Sequence, residues 1–188
     1  GAEGTASRGR GGGGAGVATG GKRAAVAKSG GEGGAGGRYG GVNADEGDAG
    51  SYIDKELIER DPHTQLEGAL LAAYACGARE AFFYVRSEYP AAKAVLEAAL
   101  AEARVAGIVG RPVFGSTFEC EVRIVQGRGA YICGEETSLL RSIEGVPALV
   151  SIRPPFPAEK GLWGRPTAVQ NVETIHNLPW IVANGGAA

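Results

Sequence analysis

"DPHTQLEGALLAAYACGAREAFFYVR" (Asp61–Arg86) reads as a helix followed at once by a strand. Asp61 and Pro62 make a helix start: a carboxylate N-cap, then proline at the first helical position, where no amide hydrogen is needed. Leu66, Ala69, Leu70 and Ala73 fall on one helical face, and Gly77 predicts the end of the helix. "AFFYVR" (Ala81–Arg86) is short, aromatic and β-branched, as a buried strand should be. Further on, "YPAAKAVLEAALAEARVAG" predicts a second helix with Val95, Ala99 and Leu100 toward the core and Gly107 closing it. Phe118 to Val125 alternates apolar and polar residues with period two, which predicts a strand with one solvated face. A third helix is expected from Glu135, just after Gly134. "RPPFPAEKGLWGRPT" reads as proline-rich loop, and Asn171 to Val182 as a closing helix interrupted or bent at Pro179. Helices alternating with strands predict an α/β fold, a Rossmann-like layered domain with a mainly parallel sheet.

Upstream of this pattern the composition changes. Eighteen of the 33 glycines lie in the first 41 residues, which divides the chain into a glycine-rich segment, 1–41, and an α/β domain, 42–188. A net charge of -2 leaves no basic footprint for nucleic acid or a membrane surface. Apolar runs such as Ala69–Ala75 fall far short of the roughly 20 residues that cross a bilayer. With no secretory signal either, the cytoplasm is the expected compartment. Cys76, Cys120 and Cys133 form no C-x-x-C pair and leave an odd thiol, so reduced, mostly buried cysteines are expected. The absence of methionine predicts an internal piece of a longer chain.

Three stretches carry possible chemistry. "GRGGGGAGVATGGK" (Gly9–Lys22) matches G-x-x-x-x-G-K through Gly16, Gly21 and Lys22, but Arg23 stands where a P-loop needs a hydroxyl for magnesium. Gly11, Gly13 and Gly16 match G-x-G-x-x-G without the strand that should precede it. A flexible linker and a phosphate-cradling loop anchored by Lys22 both remain open for this stretch. "NADEGDAGSYIDK" gathers Asn43, Asp45, Glu46 and Asp48 around Gly47 and Gly50. An acidic surface turn, a calcium loop and a site for ribose or ribityl hydroxyls are the alternatives, and the calcium spacing lacks its closing Glu. In "GRGAYICGEETSLL", Gly134 precedes Glu135 and Glu136 at an expected helix N-terminus. There the carboxylates either complement the macrodipole or turn toward a ligand.

"NADEGD", "ERDPH", "EGALLAAYA", "RSEYPAA", "AYICGEET", "PPFPAEKGLWG" and "QNVETIHNLPWIV", in this order, resemble the flavin-containing, NADH-oxidising subunit of respiratory complex I. The diaphorase subunit of NAD-linked hydrogenases and the β subunit of NAD-dependent formate dehydrogenases carry the same module. The resemblance implies FMN and NAD(H) as cofactors, with hydride transfer to the flavin and electrons passed to iron-sulfur clusters. Those clusters would lie in partner subunits, or in a ubiquitin-like and helical continuation outside this sequence. It further implies a loop including Gly13 and Gly14 against the flavin and dinucleotide, Lys22 at the flavin phosphate, and Asn43, Asp45 and Glu46 along the ribityl chain and ring edge. Asp48, the one residue assigned to the reaction itself, would stand beside the nicotinamide. Gly134 would support the flavin, with Glu135 beside it, and Glu136 would face the NADH adenosine ribose. Arg153 would lie near the dinucleotide, Phe156 would stack on adenine, and Asn171 and Thr174 would reach the flavin phosphate. No metal ligand is implied within the chain, and His63 and His176 are expected to be structural. Val17 and Ala25 stand where the family carries aromatics, which predicts weaker dinucleotide binding. Gly40 and Gly41 are expected to weaken the strand leading into "NADEGD".

Overall fold

The computed structural model describes residues 37–110 and 112–186. Four strands, β1 (Arg38–Ala44), β2 (Ala78–Val85), β3 (Glu121–Gln126) and β4 (Thr167–Asn171), form one sheet in the order β3-β2-β1-β4. Every pairing is parallel, as expected. Helices α1 (Ile53–Arg60) and α2 (Pro62–Cys76) carry the chain from β1 to β2, and α3 (Pro90–Val105) carries it on to β3. The return to β4 runs through a 3-10 turn at Tyr131–Gly134, α4 (Glu136–Ile143) and the single turn α5 (Pro157–Lys160); α6 (Val172–Asn184) follows.

Both faces of the sheet are covered, and β2 shows why. Its Ala81, Phe83 and Val85 point into a core shared with Ile58, Leu66, Leu96, Val172 and Ile175 from the helices. Phe82 and Tyr84 point the other way, against Cys133, Leu139, Leu140 and Leu162. A strand buried on both sides reads as a continuous apolar run, which is what "AFFYV" is.

Local chemistry sets the expected boundaries of α2. The Asp61 carboxylate accepts from the Thr64 amide at 3.1 Å, and Gly77 closes the helix in the left-handed conformation at φ 67°. In α3 Ala99 and Leu100 are buried as expected, while Leu96 takes the core position expected of Val95, which is only half-buried. The closing helix is continuous through Pro179 from Val172 to Asn184. Proline lacks the N–H that would bond the Ile175 carbonyl, and that carbonyl packs against Gly68 of α2 instead.

The glycine pair in β1 forms a strand despite its low propensity. β1 lies between β2 and β4 and is paired on both edges. A Cβ on Gly40 would lie 3.5 Å from that of Ala81, and one on Gly41 3.4 Å from Val169 Cγ2, so the neighbours fill the surface that the glycines leave bare. The three cysteines are free thiols: Cys120 and Cys133 are buried, and burial pushes the Cys120 thiol up to about 12. No described helix is long and apolar enough to cross a membrane.

Candidate functional site

Strand order locates the site. The chain moves from β1 outward to β2 and β3, then returns to the opposite side of β1 as β4. Parallel α/β sheets bind ligands in the crevice beyond the carboxyl ends of the strands at such a reversal. Here those ends are Asn43-Ala44-Asp45-Glu46 after β1 and Gln170-Asn171 at β4, with Asn43 and Asn171 as register partners.

Asn43 ties the crevice together. Its Oδ1 accepts from the Asp45 amide at 3.0 Å, and its Nδ2 donates to the Gly134 carbonyl at 2.9 Å. A Cβ on Gly134 would lie 3.3 Å from the Asp45 carbonyl oxygen, so glycine lets two backbone segments approach closely. Asp45 itself is buried, and its Oδ2 has no hydrogen-bond partner among the described residues. Burial pushes this carboxyl up to about 6 against the opposing pull of Arg86, with Glu88 adding to the rise.

Glu46 is engaged in holding α1. Its Oε1 accepts from Ser51 Oγ at 2.5 Å and the Ile53 amide at 2.9 Å, and its Oε2 accepts from the Lys55 amide at 3.4 Å. The N-terminus of α1 is thus capped by a side chain from the end of β1, which ties the acidic loop to the helix. Arg86 donates to the Glu46 carbonyl and lies 5.5 Å over the Tyr89 ring. Asp48 is exposed and accepts from the Tyr131 hydroxyl at 2.8 Å. That tyrosine ring lies across Gly47, where a Cβ would come within 2.5 Å of it.

On the far side, Glu135 is the N-cap of α4, accepting from the Thr137 and Ser138 amides at 2.9 and 3.1 Å. Arg153 forks across both acids, to Glu135 at 3.0 Å and Glu136 at 2.5 Å. Phe156, 44% exposed, precedes α5. Asn171 is the N-cap of α6, accepting from the Glu173 amide at 2.8 Å, with Thr174 exposed in the first turn. Asn43, Asp45, Gly134 and Asn171 are therefore brought together directly. Glu135, Glu136 and Arg153 follow from Gly134, and Asp48 is joined through Tyr131. Gly13, Gly14 and Lys22, with Val17 and Ala25, lie outside the described residues. His176 meets the buried Gln65 at 3.0 Å, and His63 meets Glu102 at 3.2 Å on the surface.

Asp54 has no counterpart among the sequence-derived candidates. It is only 5% exposed and accepts from Asn171 Nδ2 at 2.9 Å, linking the first turn of α1 to the cap of α6. Burial, with Glu46 and then Glu173 as like-charged neighbours, pushes its carboxyl up to about 7 against the Asn171 hydrogen bond. A raised carboxyl binds its proton more tightly in the folded chain than in the unfolded one. Its contribution to stability is therefore full below the unfolded value of 3.8 and is lost as pH rises through about 7. Asp54→Asn removes that pH dependence. Between about pH 5 and pH 8 the variant should gain about 2 kcal/mol on the parent, roughly 4–8 °C in melting temperature. Parallel melting curves for the two proteins across this range would contradict the assignment.

Three comparisons bear on this geometry. Residues 5–180 match the family model described as the Nuo51 FMN-binding domain. The chain is 49% identical over 148 residues to the F subunit of NADH-quinone oxidoreductase in Aquifex aeolicus (strain VF5), covering 79% of this chain and 35% of that protein. It is 47% identical over 178 residues to the F 2 subunit of NADH-quinone oxidoreductase in Rhizobium meliloti (strain 1021), covering 95% and 41%. The chain thus spans little more than a third of the length of these curated relatives. Among solved structures, the NAD+-reducing NiFe hydrogenase in its air-oxidized state matches with a TM-score of 0.71 at 40% identity, over 80% of this chain and 25% of that one. Fold, crevice and sequence agree: the chain belongs to the Nuo51 FMN-binding domain family.

Proposed function

We propose that the chain holds FMN in the crevice beyond β1 and β4 and oxidises NADH there, as part of a larger oxidoreductase whose iron-sulfur clusters receive the electrons. The observation that carries this reading is Asp45, a buried carboxylate whose Oδ2 lacks a partner among the described residues. A polar group left so costs about 1–3 kcal/mol, and a polyol chain offers the hydroxyl donors to relieve it.

The residues fit the cofactor. Asp45 Oδ2 would meet a ribityl hydroxyl as an acceptor, while Asn43 and the bare Gly134 hold the two backbone segments beside it close together. The N-terminus of α6, with Asn171 and Thr174, suits the phosphate, joined by Gly13, Gly14 and Lys22 from the segment 1–41. FMN, when bound, supplies a ring that accepts hydride from a reduced nicotinamide. No side-chain acid or base is needed at the carbon donor, so the protein's work is to position two ring systems. Asp48 would stand at the nicotinamide, Glu136 would accept from the adenosine ribose, and Phe156 would stack on adenine. Arg153 pairs with both Glu135 and Glu136 and fixes the direction of their carboxylates. Glu46 contributes by fixing the acidic loop to α1, and Glu135 by capping α4. Segment 1–41 would contribute a cofactor loop to domain 42–188, and β1, beginning at Arg38, runs across the boundary between them. The assembly would work in the cytoplasm, or on the cytoplasmic face of a membrane where the larger complex is membrane-bound.

Adding NADH to the FMN-loaded chain without oxygen should abolish the visible flavin absorbance. An unchanged spectrum with FMN still bound would remove NADH oxidation from the proposal.

A further inference from the structure

Asp54 is a buried titratable group with no part in the proposed hydride transfer, and it sits between two helix N-termini. On one side is the first turn of α1, held by Glu46; on the other is Asn171, the cap of α6. The Asn171 amide is committed at both ends: Oδ1 accepts from the Glu173 amide at 2.8 Å, and Nδ2 donates to Asp54 at 2.9 Å. Asp54 therefore fixes which way that amide faces, and with it the polarity presented at the start of α6.

We propose that Asp54 is a positioning residue that orients Asn171 at the phosphate end of the crevice and makes FMN affinity depend on its own charge. The proposal rests on the reading that the start of α6 receives the flavin phosphate. Its physical basis is like-charge repulsion: an ionised, desolvated Asp54 behind the α6 cap opposes an anion bound at that cap. When neutral, its carbonyl oxygen still accepts from Asn171, so orientation is kept and the repulsion disappears.

The charged groups around Asp54 reinforce this. From the loop after β1, Glu46 faces it; from α6, Glu173 does; and from the start of α3 the Tyr89 phenol does. None of the three is cationic, and none offsets an added phosphate. Burial and the two glutamates place the protonation change near neutral pH, at about 7. Asp45 also titrates, near 6, but it belongs to the part of the crevice assigned to the ribityl chain, so its effect should be shared by riboflavin and FMN.

That difference defines the experiment. Affinities for FMN and for riboflavin, which lacks the phosphate, are measured by flavin fluorescence from about pH 6.5 to 8.5, above the second ionisation of a phosphate monoester at about 6. The parent chain should lose about fivefold in FMN affinity relative to riboflavin across this range. Asp54→Asn should hold the ratio flat while keeping FMN affinity near the parent's acid-side value. Asn171→Ala, which severs the link to Asp54, should weaken FMN but not riboflavin at every pH. An FMN-to-riboflavin ratio independent of pH in the parent, or one that falls equally in Asp54→Asn, overturns the proposal while leaving flavin binding intact. Failure of either flavin to bind at pH 6.5 strikes instead at the proposed function. The parent's own pH profile decides the matter even where a variant does not fold.

Discussion

Gly68→Ala is expected to destabilise the domain by about 3 kcal/mol, lowering the melting temperature by roughly 6–12 °C. Gly68 is the point where α2 meets α6. A Cβ there would lie 2.8 Å from Ile175 Cγ2 and 2.9 Å from its carbonyl carbon, and closer still to the carbonyl oxygen. The backbone of α6 is thus the obstacle, and backbone cannot rotate out of the way as a side chain can. Pro179 explains why this carbonyl is available for the contact, since it cannot donate the hydrogen bond that would draw the oxygen along the helix. The functional consequence follows from position. Ile175 lies one turn from Asn171, so a displaced α6 carries the crevice's β4 side with it, and flavin affinity should fall along with stability. An unchanged melting temperature in thermal denaturation would show that the two helices do not touch at Gly68.

The second large effect has opposite signs in its two readouts. Asp45→Ala should weaken FMN binding about 10- to 100-fold, the loss of charge-assisted hydrogen bonds to ligand hydroxyls. The same substitution should leave the flavin-free chain as stable or more so at pH 8, because it removes an ionised, buried group whose Oδ2 has no partner among the described residues. Below about 6, where Asp45 takes up a proton, the stability difference should shrink. Residues kept for packing lose stability when truncated; residues kept for a ligand lose the ligand and release strain. Isothermal binding and thermal melts on one variant separate the two. A stability loss of several kcal/mol with FMN affinity retained would place Asp45 in the scaffold.

Helix and strand were legible wherever local chemistry alone fixes them. The Asp61 cap, Pro62 and Gly77 mark α2, "AFFYV" marks β2, and Glu135 marks the entry to α4. Elements fixed by distant partners were not. α1 is eight residues long, and its principal cap is the carboxylate of Glu46 from the end of β1, seven residues before Ile53. Read along the chain, it merges with an acidic loop. β4 is five residues, "TAVQN", with polar ends, and becomes a strand because β1 offers it a free edge. β1 itself contains Gly40 and Gly41 and is held by ladders on both sides, which no local propensity records.

The site divides in the same way. Asn43, Asp45 and Gly134 could be named from motifs, and the structure joins them by hydrogen bonds and close backbone approach. Asp54 and Arg86 could not. Asp54 reads as an ordinary acidic residue in the first turn of a helix, and its meaning depends on Asn171, 117 positions away. Arg86 reads as the solvated end of a strand, yet it donates to the Glu46 backbone and is the cation nearest in effect to Asp45.

The central claim is that the crevice beyond β1 and β4 is a flavin site. Titrating the chain with FMN and following flavin fluorescence tests it most directly. Saturable quenching that approaches one FMN per chain, lost in Asp45→Ala, is the predicted result; fluorescence unaffected by the chain at high micromolar concentration would contradict it.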